Sequence, residues 1–526
     1  MGFMKGPLAS EGRAGMIQLA SAEEAAAGLD NTKAVTPATL AAVVEDAVSG
    51  GMGNVLGVSF DGTNATGTRL YAAEGKTFSA STDASAGTDD FKNLPVYAGY
   101  YALVKYNSTT QKAEIIAYEG TPEYDAYIAA GTEDFDVVRM FPKFYYKHTI
   151  NADGSTEILL SPTEKTGFKP SPMHYRYNAT TQKWVMHDWI GITRYAWGYD
   201  ANATGGMASK KGLYPLTNTS EANFYTKAVS RGMRVFGARE FSALQMLGCV
   251  KYANQNWQSA VAAGYTDANV NLACKEDTTG ENYVVVPYTA GNAQIFAVGT
   301  MFAFQDSRVY SAMRTITAVD TEYDTTNNYM KITFSGDACP TITVDTTKIY
   351  AGLAISGTAD NVKGLDGRNT AMNSTAARCS AIFLGIENLF GNCTKACSGI
   401  VRYDGSMWIK DDTDNDNTWL TTSDQSGWKR ACASYDNSSG YIKRFHPTTN
   451  MGEFDWLSSP IETGGDSSKP VGDQVYSNTT KNSVYMCGWG GYLSNGAGDG
   501  PFYASLSGAV SSADWRWGAL GVYIPE

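Results

Sequence analysis

Again and again in this chain a run of apolar or β-branched residues is cut short by Gly, Asp or Asn. LYAAEG at 70–75, ALVKYN at 102–107, QKAEIIAYEG at 111–120 and FDVVRMFPKFYYKH at 135–148 all share that layout. With 54 glycines and 32 tyrosines in 526 residues, the pattern favours short strands and many turns over long helices. One stretch departs from it. FGAREFSALQMLGCVKYANQNWQSAVAAGY (236–265) carries Phe241, Leu244, Met246, Leu247 and Val250 at helical spacing and predicts the best helix of the chain. The expected fold class is therefore α+β.

Length allows about three or four domains at roughly 150 residues each. An apolar content of 43%, with 12% aromatic, supplies a sizeable core and argues against global disorder. The net charge of −12, with no Lys/Arg block, argues against a nucleic-acid reader. There is no run of eighteen apolar residues and no secretory layout at the start, so a soluble protein made in a cytoplasm, without membrane insertion, is expected.

Eight cysteines at irregular spacing include no CxxC. Reduced, buried thiols are expected, with a Cys393–Cys397 disulfide or redox pair as the alternative. His148, His174, His187 and His446 show no metal-ligand spacing and no triad. Asp412, Asp414 and Asp416 alternate in IKDDTDNDNTW, as calcium ligands do, but the Gly and Glu of an EF-hand are missing. A solvated acidic turn is the reading, so no cofactor is expected and calcium is the alternative. Glu387 reads as a buried carboxylate hydrogen-bonded to its own loop.

Residues 16–48, MIQLASAEEAAAGLDNTKAVTPATLAAVVEDAV, read as a strand and two small helices. Ser21 and Glu24 fit a capping box, and Thr36 before Pro37 fits an N-cap with Pro at the first helical position. Such short elements do not fold alone; they need copies of themselves or a larger assembly. GGMG at 50–53 reads as a joint. Gly15, IQLA (17–20) and EAAAGLDNTKAVTPATL (24–40) resemble a repeat of bacteriophage tail fibres.

TRLYAAEG, DDFKNLPVY, AYEGTPEYDAY and VRMFPKFYYK are similar to segments of phage tail and receptor-binding proteins. There they lead into a domain of the C-type-lectin class, in the variant shared with formylglycine-generating enzymes. FLGIENLFGN (383–392) resembles a motif of that class, although the tryptophan-rich strand that normally follows is replaced by CTKACSGIVRYDGSMWIK. The resemblance implies an attachment and trimerisation segment at 1–50, a β-rich neck at 51–135 and a C-type-lectin-like domain at 136–526. Within the last, a Thr- and Asp-rich β insert is expected at about 316–360 and a variable region at about 487–523.

Near the end, GYLSNGAGDGPFYASLSGAVSSADWRWGALG (491–521) alternates rigid punctuation with small polar gaps. Gly490, Gly491, Gly496, Gly500, Pro501, Phe502, Tyr503, Leu506, Ala509, Trp515 and GALGV (518–522) occur in the order of a frame. That frame resembles phage receptor-binding proteins of the major tropism determinant type, which a retroelement diversifies by miscopying the adenines of Asn codons. Changing the first two bases of such codons cannot yield Lys, Glu, Gln or Met, and 487–525 contains none of the four. Trp489, Trp515 and Trp517 also fall outside that codon set and go with the frame, although a different template codon would move Trp517 to the variable set.

Physics divides the stretch in the same way. Glycines and Pro501 hold backbone geometries that other residues would strain, while Phe502, Leu506, Ala509 and Trp515 are expected to bury and fix the loop. Tyr492, Ser494, Asn495, Ala504, Ser505, Ser507, Gly508, Ser512, Asp514 and Arg516 are left to face outward, and with Trp517 they form the candidate receptor-binding set. Tyr, Arg, Ser, Gly and Asn are what adaptable binding loops use.

The resemblance thus implies a homotrimeric receptor-binding protein at a tail-fibre tip, assembled in the host cytoplasm and joined to other tail proteins through its N-terminus. Its partner would be a bacterial surface receptor, protein or glycan. The alternatives are a structural tail or baseplate component, and an enzyme of the formylglycine-generating type using Cys432 and Cys487. The motifs flanking those cysteines do not match, so no enzyme activity is expected.

Overall fold

The computed structural model describes residues 52–178, 181–410, 420–433, 439–478, 480 and 482–525. The attachment segment expected at 1–50 and the acidic run with Asp412, Asp414 and Asp416 lie outside the described residues. The chain is β-rich with few helices, as its turn punctuation demands.

Three sheets carry the architecture. The first is antiparallel and places Leu56–Phe60 between Thr68–Tyr71 and Thr156–Ser161, with Tyr145–Ile150 and Lys169–Pro170 beyond. The second runs in the order Arg234–Val235, Gly521–Tyr523, Trp189–Thr193, Asp136–Pro142, Tyr100–Asn107, Lys112–Tyr118. The chain's last strand is therefore seated inside a sheet built mostly from its first third. The third sheet contains Trp428–Ala433, Ser406–Lys410, Thr394–Tyr403, Tyr485–Trp489, Ala504–Ala509, Gln474–Ser477, Gly440–Phe445 and Pro460–Thr463 in that order.

These pairings revise the expected domain limits. Tyr100–Asn107 pairs along Asp136–Pro142, and Leu56–Phe60 pairs along Thr156–Ser161, so no boundary exists at residue 135. Leu56, Phe91, Phe241, Phe390 and Phe502 all belong to one buried cluster. The insert is also larger than its Thr and Asp content suggested. Its six-stranded sheet spans Asn271–Ala273 to Lys348–Ala351 and closes on its own core of Val284, Phe302, Ile332, Phe334 and Ile349.

The expected helix forms over Ala238–Tyr252, with Phe241, Leu244, Met246, Leu247 and Val250 all buried. It is buried on every face except at Arg239, so its charged residues need internal partners. Glu240 accepts from the Gly237 amide at 2.8 Å and pairs with Arg176. Lys251 lies 2.7 Å from both Asp89 and Asp366. A second helix, Pro122–Ala130, opens on Thr121 as N-cap and closes on a left-handed Gly131.

All eight cysteines are buried with free thiols, and Cys397 sits opposite Cys487 on paired strands rather than bonded to Cys393. Glu387 does not bond its own loop. It accepts from the amides of Gly357 and Ala359, at 3.0 and 2.9 Å. No described helix is long and apolar enough to cross a membrane.

Candidate functional site

Strand geometry shapes the C-terminal surface. Along Ala504–Ala509 side chains alternate between faces, so Ala504 and Leu506 enter the core at 1% and 2% exposure. Ser505 and Ser507 point the other way. Tyr476, opposite Ser505 on the parallel neighbour, stands beside them with half its surface exposed.

The turns on either side need glycine. Gly491 (φ +68°) and Gly500 (φ +154°) hold conformations that side-chain-bearing residues rarely adopt. A methyl at Gly491 would overlap the Asp499 carboxylate, and one at Gly500 would overlap that of Asp473. Asp473 in turn accepts from the Phe502 amide at 2.7 Å, and burial pushes both carboxyls well above the usual range.

Other elements clamp this loop through its backbone. Gln245 of the long helix donates to the Pro501 carbonyl at 2.7 Å, and Gln258 donates to the Asp499 carbonyl at 2.6 Å. GIENLFGN supplies the remaining support. The Gly391 amide donates to the Gly490 carbonyl at 2.8 Å, and the Leu493 amide to the Asn392 carbonyl at 3.2 Å. Asn392, itself at φ +58°, exchanges two hydrogen bonds with the backbone of Ala354. The motif is thus a bracket under the C-terminal loop.

The next segment arches over the strands. Asp514 accepts from the Arg516 amide at 2.8 Å, and its two oxygens take Nε and Nη2 of the same arginine, each at 2.8 Å. Burial alone would raise the Asp514 carboxyl, but the Arg516 bonds hold it below its ordinary value. The guanidinium rests 5.7 Å from the Tyr492 ring centre. The arch is tied down by the Asn218 amide on the Asp514 carbonyl (2.9 Å) and the Thr394 amide on the Arg516 carbonyl (2.8 Å).

Together these elements enclose a depression of about 630 Å³. Tyr492, Asn495, Ser505, Ser507, Gly508, Ser512, Asp514, Arg516 and Trp517 all line it, so nine of the eleven candidate residues converge there. Ala504 does not, because its parity places it with Leu506 in the core. Ser494 is exposed outside the lining, where its hydroxyl accepts from Asn269 at 3.0 Å. Two expected anchors also differ: Ala509 is exposed and Trp515 only half-buried.

Sequence reasoning did not find Thr394, Tyr476, Tyr503 or Ala513 in the lining. It also missed Arg308, which reaches out of the insert. Fully buried, Arg308 lies 4.3 Å from the Trp515 ring centre and binds Asn269 and Asp306. Trp515 then meets Tyr492 edge to face at 6.0 Å. For Tyr476 the signal was available, since a tyrosine alternating with Val475 on a short strand points outward. Nothing local marks Arg308.

Among the described residues no group of three or more His, Cys, Asp or Glu is placed to hold a metal ion. Burial lifts the Cys432 thiol to about 11 and the Cys487 thiol well above its usual value, opposite to what a reactive thiolate needs.

No family model and no curated protein matches the chain. Among solved structures it is similar to a Major Tropism Determinant U1 variant, at 9% identity over 89% of this chain and 82% of that one, with a TM-score of 0.23.

Proposed function

We propose that this chain is a phage receptor-binding protein that contacts a bacterial surface receptor through the C-terminal depression. The observation that carries the reading is convergence. Eight residues picked out of the sequence as gaps between frame residues line one cavity together with Trp517, and the frame glycines beside them are required by buried carboxylates. Scaffold and contact surface are thereby separable, as a diversifiable binding site requires.

In this reading residues 1–50 attach the chain to other tail proteins, the C-terminal part is C-type-lectin-like, and the protein is a non-enzymatic homotrimer at a virion tail tip. Each site would bind modestly, and repetition within the trimer would convert that into firm adsorption.

The test is adsorption of the purified full chain to a panel of bacteria. Wild type is compared with Ser507→Trp, which fills the depression, and with Tyr118→Ala, an exposed aromatic outside it. Folding is verified by circular dichroism. Adsorption lost in a folded Ser507→Trp variant and kept in Tyr118→Ala supports the reading. Equal adsorption by all three proteins moves the receptor site elsewhere, and adsorption to no strain sinks the reading.

A further inference from the structure

We propose that the ligand taken by the depression is a neutral glycan; this rests on the receptor-binding reading above and names its receptor class. The first argument is charge. Of the residues lining the cavity only Asp514 and Arg516 are ionised at neutral pH, and they satisfy each other through two parallel bonds of 2.8 Å. A ligand entering the site meets no uncompensated charge. Around it the protein carries a net charge of −12, which repels rather than steers anionic polymers.

The second argument is hydrogen-bond chemistry. Ser505, Ser507 and Ser512 present hydroxyls to the cavity, and no hydrogen bond from the described residues engages these side chains. Each hydroxyl is one donor and two acceptors. That is the same dual capacity a sugar hydroxyl carries, whereas a peptide offers donors and acceptors at fixed, separate positions. Asn495 adds an amide that bonds in both directions.

The third argument is the aromatic wall. Tyr476, 51% exposed, stands beside Ser505, with Tyr492 also in the lining. An aromatic face is electron-rich, so it attracts the polarised C–H groups on the flat side of a pyranose. Hydroxyls beside an exposed ring match a molecule with an apolar face and a polar edge. The cavity also falls within the ~300–1,000 Å³ of small-ligand sites, whereas a folded receptor would favour a broader surface with an apolar centre.

The experiment uses a strain to which wild type adsorbs and Ser507→Trp does not. Cells are treated with periodate, which cleaves vicinal diols, or with proteinase K, and purified surface polysaccharide is added as competitor at low and high salt. The expected result is adsorption lost after periodate, kept after proteinase, competed by polysaccharide and unchanged from about 0.05 to 0.5 M salt. Tyr476→Ala should weaken adsorption about tenfold while Tyr476→Phe, which keeps the ring, stays near wild type.

Adsorption lost to proteinase and kept after periodate overturns the glycan and leaves the receptor-binding reading standing. Loss at high salt overturns neutrality. If both treatments abolish adsorption, competition by protein-free glycan supports the proposal and its failure overturns it. If neither does, the proposal is overturned. Absence of any strain distinguishing wild type from Ser507→Trp defeats the underlying reading instead.

Discussion

Arg308 shows how much one side chain from a distant element can contribute to a binding loop. Its guanidinium is fully buried against the Trp515 indole, between Asn269 and Asp306, and a desolvated cation–π contact of this kind contributes about 2 kcal/mol. Lysine offers neither the flat face nor the fork of donors. Arg308→Lys and Arg308→Met should therefore both lower stability by on the order of 2 kcal/mol in urea unfolding and weaken adsorption, because Trp515 loses its backing and Tyr492 its edge contact. Adsorption unchanged in a folded Arg308→Met would show that the insert does not position the loop. Gly491 gives a complementary test of frame against gap. Gly491→Ala adds backbone strain at φ +68° and an overlap with Asp499, and should cost about 2 kcal/mol or more. Ser507→Ala, on the same surface, should stay within about 0.5 kcal/mol. Equal costs in urea unfolding would remove the distinction between scaffold and contact residues.

At the scale of elements, what could be read in the sequence was what depends on neighbours in the chain. The helix over Ala238–Tyr252 was legible because five apolar residues recur at its period, and the strands Tyr100–Asn107 and Lys112–Tyr118 were legible from their turn-bounded runs. Pro122–Ala130 was missed because none of its residues is buried, which leaves no apolar stripe to detect; only Thr121 and Pro122 announced it. Pairing partners were not legible. The boundary expected at 135 is crossed because Leu56–Phe60 pairs along Thr156–Ser161 and Tyr100–Asn107 along Asp136–Pro142, contacts with no local trace. In the candidate site, the gaps in the ordered frame marked the cavity residues, but strand parity, which was available, would have returned Ala504 to the core. Lys251 and Glu240 were hidden for a related reason, since buried charge looks like surface charge until its partners are known. Lys251 has its ammonium 2.7 Å from Asp366, whose side chain is 1% exposed. Lys251→Met should cost about 3–5 kcal/mol by leaving that carboxylate uncompensated. Adding Asp366→Asn should recover part of the loss in the same urea titration. No recovery would mean that the pair does not act as a unit.

The whole molecule buries ionisable groups of two opposing kinds, and this sets how its stability responds to pH. His148 and His174 are enclosed, His148 against the Asp455 carbonyl and His174 between the Ser171 hydroxyl and the Phe141 carbonyl. Burial lowers them from 6.5 to about 4 and about 3. An unfolded chain protonates these imidazoles below about 6.5 while the folded chain does not, so their contribution is complete above 6.5 and is lost as pH falls toward 4 and 3. Glu221 acts in the other direction. Its carboxylate is 1% exposed, neither oxygen has a hydrogen-bond partner among the described residues, and burial alone lifts it well above 4.5. The folded state then holds a proton that the unfolded state releases, so stability is lost as pH rises from 4.5 through the raised value. Asp473 and Asp499 add to that side. The wild-type profile between pH 7 and 4.5 is therefore a sum of rising and falling limbs, and single substitutions should separate them. Relative to wild type, His174→Gln should gain on the order of 2 kcal/mol between pH 7 and 4.5, because the acid limb of one histidine disappears. Glu221→Gln should do the reverse, gaining on wild type as pH rises from 4.5 to 7. Urea unfolding of the three proteins at pH 4.5, 5.5 and 7 measures both. Parallel profiles would show that these groups titrate alike in folded and unfolded chains, and that the burial assigned to them does not hold in solution.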